Sequence, residues 1–318
     1  MESITANVVT ADDAGIACAG DIIRAGGLVA FPTETVYGLG ADATNDQAVA
    51  AIFAAKERPR FNPLIVHVRD LAEAELHGEP SEQARALAER FWPGPLSLVL
   101  PRKQTSPLSL LVSAGLDTVA LRAPSNSIAQ KLLAVVGRPI AAPSANFSGR
   151  VSATTAAHVA ADFGEHVDLV LDGGAARLGL ESTVIGFDGA RAVLLRPGAL
   201  SREEIERVTG PLAAPASDRI SSPGQLASHY APRTPLRLNA GDVGPDEALL
   251  AFGLSLAGAK MVRNLSPSED LSEAASNLFA MLRELDAANA RMIAAMSIPE
   301  HGLGEAINDR LRRAVARP

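Results

Sequence analysis

Lys56-Glu57-Arg58-Pro59-Arg60-Phe61-Asn62-Pro63-Leu64 joins an amphipathic segment to a short apolar run. Upstream, Asn45 to Lys56 places Val49, Ile52 and Phe53 on one face at helical spacing. Downstream, Leu64 to Val68 is apolar and of strand length. Pro59 disfavours helix at Arg58, so the chain turns extended there. A helix that breaks at a proline and feeds a strand is the unit from which an α/β fold is built. In an extended segment residues 56, 58 and 60 share one side. A chain of net charge −7 thus puts three cations on one short edge. That pattern suits a polyanionic small molecule, with a nucleoside triphosphate as the leading candidate.

The same alternation continues in both directions. Helices are expected over Asp12–Ala25, Ser81–Phe91, Ala129–Val136 and Thr154–Phe163, with Ser81 as an N-cap. Strands are expected over 28–31, 96–100, 119–122, 139–142, 167–171, 182–187 and 193–196. Tyr37-Gly38-Leu39-Gly40 reads as a turn. Asp188-Gly189 joins two neighbouring strands as a hairpin, so the sheet is expected to be mixed. From 209 to 235 the texture changes to Pro, Ser, Ala and Gly without periodicity, which reads as a linker. Beyond it come a strand at 248–252, a helix over Leu271–Ile293 and a last helix over Gly304–Ala316. The expected organisation is a first α/β domain over 1–208, a linker over 209–235 and a smaller α/β domain over 236–318.

Composition excludes several classes. Hydrophobic content of 47% with 20% charged residues supports large cores and argues against long disorder. The acidic balance argues against coating nucleic acid by charge alone. Cys18 is the single cysteine, so no intramolecular disulfide forms, and a small core residue is its simplest reading. The N-terminus lacks a basic start and an apolar core, and the apolar run 248–259 is too short to cross a bilayer. A soluble cytoplasmic protein is expected. No phosphate loop, dinucleotide fingerprint, nucleophile elbow or metal-ligand spacing is present, and the metal expectation from residues is none.

Four polar segments remain at the ends of apolar strands, where open α/β sheets bind ligands. They are Phe31 to Gly40, Lys56 to Pro63 with His67 beyond it, Ala141 to Gly149 leading to Ser152, and Gly179 to Ile185 with Arg196 following. Together with Ser222 to Pro232, which contains His229-Tyr230-Ala231-Pro232, these segments resemble the YrdC-domain family of threonylcarbamoyl-AMP synthases in its long two-domain form. The matching elements are F-P-T-E-T-V-Y-G-L-G, K-x-R-P-x-x-N-P-L, A-P-S-A-N, G-x-E-S-T-V and S-P-G-x-x-x-x-H-Y-A-P. The resemblance extends through Asn277 to Asp286 and Pro299 to Gly304, essentially the whole chain.

The resemblance implies a YrdC-like twisted mixed sheet and a Rossmann-like second domain. It implies synthesis of L-threonylcarbamoyladenylate from ATP, L-threonine and bicarbonate, with Mg²⁺ carried on ATP and release of pyrophosphate. The product then passes to a separate tRNA-modifying complex, with direct tRNA binding weak or absent. Residue by residue, it implies Lys56 and Arg58 as catalytic cations. It places Lys56, Arg60, Thr118, Ser144, Asn146, Ser152, Arg196 and Tyr230 at ATP, and Thr33, His67, Arg122, Ala142 and Ser182 at threonine. Arg122 suits a carboxylate gripped by two parallel hydrogen bonds, and Tyr230 is expected on a lid.

Plainer readings stand beside these. His67 alternates with Ile65 and is equally a core histidine; Ser152 reads as an N-cap; Arg196 as a surface cation; Ser144 and Asn146 as a turn. Two other functions compete. An RNA-binding module would use a concave basic face of the first domain, with Arg310, Arg312, Arg313 and Arg317 as further contacts, although cations near a helix end are usually dipole partners. A carbamoyl-phosphate-dependent transferase would need extra domains that this sequence lacks.

Overall fold

The computed structural model describes residues 7–59, 61–189, 191–213 and 229–316. Ten strands form one mixed sheet: β1 (Val8–Thr10), β2 (Val29–Phe31), β3 (Gly38–Asp42), β4 (Ile65–His67), β5 (Leu96–Pro101), β6 (Thr118–Arg122), β7 (Ile140–Ala141), β8 (Leu169–Asp172), β9 (Thr183–Asp188) and β10 (Arg191–Arg196). Their order is β1-β8-β2-β3-β7-β4-β6-β5-β9-β10. The helices are α1 (Asp13–Arg24), α2 (Asp46–Ala55), α3 (Leu71–Ala74), α4 (Glu82–Phe91), α5 (Ser127–Val136), α6 (Ala156–Phe163) and α7 (Arg202–Thr209). Side chains of β2 alternate between two cores. Val29 and Phe31 pack with α1 and α5 through Ile16, Ala19, Ile23 and Leu132, whereas Ala30 joins Val49, Ile52 and Leu87 on the other face. Both faces are covered, which explains why the strands read as continuous apolar runs.

Register does the positioning. β4 runs parallel to β6 with His67 opposite Arg122, and antiparallel to β7 with Val66 opposite Ala141. β5 runs parallel to β9 with Leu96 opposite Thr183. Four segments distant in sequence therefore end at one place. The expected hairpin is present, with β9 antiparallel to β10.

The second domain has a four-stranded, all-parallel sheet: β11 (Leu236–Arg237), β12 (Glu247–Ala251), β13 (Met261–Asn264) and β14 (Met292–Ala295), in order β11-β14-β12-β13. Helices α8 (Leu271–Asp286) and α9 (Leu303–Val315) pack on it. Its core does not stop at the domain edge. Val36, Val151 and Leu180 of the first domain belong to the same cluster as Tyr230, Leu278 and Phe279. Gly179 sits at φ +67, and a Cβ there would come within 2.4 Å of the Ser276 carbonyl on α8. Only glycine allows that approach at that backbone angle. No helix among the described residues is long and apolar enough to cross a membrane.

Several expectations need correction. Residues 38–40 are not a turn but the start of β3. A Cβ on Gly40 would lie 2.7 Å from Phe31 Cε1 and 2.9 Å from Ile140 Cγ2, so the glycine lets this strand pass beneath neighbouring side chains. The helix from Leu271 ends at Asp286, not Ile293, because Met292–Ala295 pairs between β11 and β12. Helix α7 lies where no element was expected; a Ser201–Glu204 capping box starts it, and Ile205 alone is buried. Ser152 is not an N-cap: Thr155 caps α6.

Candidate active site

The strand ends of the first domain and the His229–Tyr230 segment enclose a cleft of about 550 Å³, counted with its open mouth. Thr33, Thr35 and Val36 from the β2–β3 connection form one side. Ile65, His67, Arg122, Ala142 and Ser144 form the floor, and Glu181, Ser182 and Arg196 face them. Arg58 enters from the break after α2, and His229 and Tyr230 close the cleft. The site thus unites the sequence segments flagged above.

The predicted threonine residues are all on these walls. Arg122 is buried and donates from Nε to the Gly94 carbonyl (3.2 Å), from Nη1 to Thr35 Oγ1 (3.0 Å) and from Nη2 to Glu34 Oε1 (2.6 Å). Of five guanidinium N–H groups, that leaves one on each terminal nitrogen. Glu34 completes the ion pair; burial works to raise its pKa, but Arg122 outweighs this and holds it below the usual range. Thr33 Oγ1 donates to the Val36 carbonyl at 2.6 Å and so shapes the connection. Ser182 Oγ lies 2.8 Å from Ser97 Oγ and also accepts from Arg196 Nη2. The Ala142 N–H is taken by the Ile65 carbonyl. His67 packs edge-on against Phe31, and its Nδ1 has no partner.

The predicted nucleotide residues divide. Arg58, Ser144, Arg196 and Tyr230 line the cleft. Burial, then the neighbouring Arg196, pushes Arg58 down to about 10. Lys56 does not reach the cleft wall. It is fully buried, and its Nζ donates to the carbonyls of Ser144 (2.6 Å) and Asn146. Burial and then Arg58 lower its pKa well below the ordinary value. Asn146 Nδ2 donates to the Phe147 and Arg150 carbonyls, holding the loop from within. Ser152 Oγ donates to Glu181 rather than toward open space. Thr118 opens β6 opposite Pro101 and is not among the cleft-lining residues. Arg60 lies outside the described residues, as do Ser222 to Ser228 of the linker motif.

Glu34, Thr35, Glu181, His229 and Arg310 were not assigned from sequence. Four of them sit inside quoted motifs, Glu34 and Thr35 in F-P-T-E-T-V-Y-G-L-G, Glu181 in G-x-E-S-T-V and His229 in H-Y-A-P, and the motifs themselves were the available signal. Arg310 had a periodicity signal: it shares its phase with Ile307, Leu311 and Ala314 on the buried face of α9. It neither contacts solvent nor serves as a dipole partner, because its Nε pairs with Glu181 Oε2 at 2.9 Å. The RNA-face reading of that helix is therefore not supported at this residue.

Two buried histidines set a pH dependence. Burial, then Arg122, pushes His67 down to about 3, and burial, then Arg58 and Lys56, takes His229 well below its ordinary value. Both titrate near about 6.5 when unfolded. Their contribution to stability is therefore complete above about pH 6.5 and is lost as pH falls, for His67 through about 3. The thermal midpoint is expected to drop between about pH 7 and pH 5, and less so in His67→Gln. A parent midpoint that stays constant over that range refutes the expectation.

The architecture and its motifs agree with known proteins. The Sua5_yciO_yrdC family model, described as "Telomere recombination", matches residues 21–198. A second model, "Threonylcarbamoyl-AMP synthase, C-terminal domain", matches residues 200–316. A threonylcarbamoyl-AMP synthase from Pyrococcus abyssi is 43% identical over 94% of this chain and 93% of its own. One from Bacillus subtilis is 40% identical over 96% of this chain and 94% of its own. The crystal structure of P. abyssi Sua5 complexed with L-threonine superposes with a TM-score of 0.89 at 40% identity, covering 97% of this chain and 96% of the other. Both domains and their arrangement are shared at full length. The chain therefore belongs to the threonylcarbamoyl-AMP synthases, a family of nucleotidyltransferase enzymes, and is matched by both family models along its length.

Proposed function

We infer that the cleft makes L-threonylcarbamoyladenylate from ATP, L-threonine and bicarbonate. The observation that carries this reading is three arginines, Arg58, Arg122 and Arg196, converging in one enclosed site beside neutral histidines. The threonine complex of the P. abyssi relative supports the amino-acid half of the site. In this reading Arg122 uses its two remaining N–H groups on the substrate carboxylate. Thr33, His67 and Ser182 surround the rest of the amino acid.

The chemistry has two steps. The neutral threonine amine adds to carbon dioxide with loss of one proton, or condenses with bicarbonate with loss of one water, and either route gives the carbamate. A carbamate oxygen then attacks the α-phosphorus, and the bond to the β-phosphate bridging oxygen breaks, releasing pyrophosphate. Nucleophile and electrophile are both anionic, so fixed positive charge and alignment supply most of the acceleration. Arg58 and Arg196 provide that charge at the phosphate end. Lys56 acts at one remove in this structure, by fixing the Ser144–Asn146 loop. Mg²⁺ arrives on ATP as part of the substrate. Tyr230 closes the cleft over a labile carbamate and keeps water from it. The adenylate then goes to a separate cytoplasmic machinery that modifies tRNA adenosine.

The test is pyrophosphate release with each substrate omitted in turn, with mass spectrometry of the product. Turnover is expected only with ATP, threonine and bicarbonate together, and the product mass should be that of threonylcarbamoyl-AMP. Pyrophosphate release indifferent to threonine and bicarbonate would sink the reading.

A further inference from the structure

Among the described residues the cleft wall holds one carboxylate, Glu181, beside the guanidiniums of Arg58, Arg122 and Arg196. A carboxylate facing a triphosphate repels it unless another charge offsets it. Here the offset comes from the other domain. Arg310, on α9, is wholly buried and pairs through Nε with Glu181 Oε2 at 2.9 Å. Its Nη1 donates to the Pro197 carbonyl (2.9 Å) and to Asp309 (2.7 Å). Its guanidinium carbon lies 5.1 Å from the ring centroid of Tyr230, which also stacks on Phe279 at 5.5 Å. The other Glu181 oxygen accepts from Ser152 Oγ. One continuous chain of contacts thus runs from the second domain through Tyr230 and Arg310 to the cleft wall.

Docking alone does not account for this pair. Desolvation offsets most of what a buried ion pair gains, so it is a poor adhesive. The seam is already held by the shared apolar cluster and by the Arg283–Asp162 and Arg202–Glu305 pairs. We propose that Arg310 is a positioning residue of the ATP cleft: it neutralises Glu181 and backs the Tyr230 ring, so the second domain directly sets the affinity for a nucleoside triphosphate. This rests on the reading that ATP binds in the cleft.

The experiment titrates Mg·ATP and L-threonine separately into the full-length parent, Arg310→Gln, Glu181→Gln and the double variant, by calorimetry, with a thermal midpoint for each. Arg310→Gln is expected to weaken ATP roughly 30-fold, the scale of an uncompensated buried charge. Its threonine affinity should stay within about twofold, because Arg122, which takes the threonine carboxylate, is paired with Glu34 and not with Glu181 or Arg310. Adding Glu181→Gln should return ATP affinity to within about threefold of the parent, because the unpaired carboxylate is gone. Mere structural support predicts the reverse: ATP and threonine affinity fall together, and the second substitution restores neither. Parent-like ATP binding in Arg310→Gln, or a loss that Glu181→Gln does not reverse, overturns the proposal. Should Arg310→Gln fail to fold, Glu181→Gln alone decides. It must bind ATP at least as tightly as the parent, and weaker binding overturns the proposal. A parent that binds threonine but not Mg·ATP refutes the functional reading itself, and this inference with it.

Discussion

Arg58→Ala is expected to lower turnover by roughly 10²–10³-fold, the effect of deleting one preorganised charge stabiliser. The fold should survive it. Among the described residues, Arg58 donates to the carbonyls of its own loop, Asn62 at 3.2 Å and Pro63 at 2.9 Å. Its nearest charged neighbours are cations, Lys56 and Arg196. Removing it leaves two carbonyls without that donor but relieves repulsion from two cations, and both lost bonds are local, four and five residues along the chain, whereas those of Lys56 tie segments 88 and 90 residues apart. The thermal midpoint should therefore move little while the rate collapses. Lys56→Ala should behave differently. It strips the carbonyls of Ser144 and Asn146 of their donor inside the protein, at about 1–3 kcal/mol for each unsatisfied group. Stability and activity should then fall together. Steady-state pyrophosphate release beside thermal unfolding separates the two cases; near-parent rates in Arg58→Ala would remove it from the catalytic set.

Truncation after Gly210 should abolish most activity, by roughly 100-fold or more on the same scale of lost electrostatic support, yet leave a folded first domain. The buried residues of the main core, from Leu28 through Ile205, lie upstream of the cut, which takes the partly buried Leu212 from its edge. What the cut removes is Tyr230, His229 and Arg310. What it exposes is Val36, Val151 and Leu180, and it leaves Glu181 unpaired on the cleft wall. A cooperative unfolding transition with poor ATP affinity is the expected phenotype. Parent-like activity of the truncated chain would show that the second domain serves something other than synthesis.

The alternation of helix and strand was legible because both faces of the first sheet are covered. Strands such as β2 and β4 then appear as apolar runs that follow Gly or Pro, at Gly26-Gly27 before β2 and Pro63 before β4. The failures have local causes. Gly38-Leu39-Gly40 carries turn residues, but they serve close packing under Phe31. The stretch after Asp286 keeps helical-looking apolar spacing, and only its partners β11 and β12 make it a strand. Helix α7 buries one residue, too few for periodicity to register.

The sequence by itself determined the α/β class, the change of texture after 209 and the segments that meet at the site. These depend on local backbone preference and on residue types within a few positions of each other. Which side chain of each segment faces the cleft was decided by register: His67 beside Arg122, and Ser182 beside Ser97. Whether a cation points at substrate or at a carbonyl was decided by packing, which turned Arg58 into the cleft and Lys56 into the Ser144–Asn146 loop. The pairing of Glu181 with Arg310 spans 129 residues and two domains. No local pattern encodes it, because a buried charge finds its partner only after both domains have withdrawn it from water.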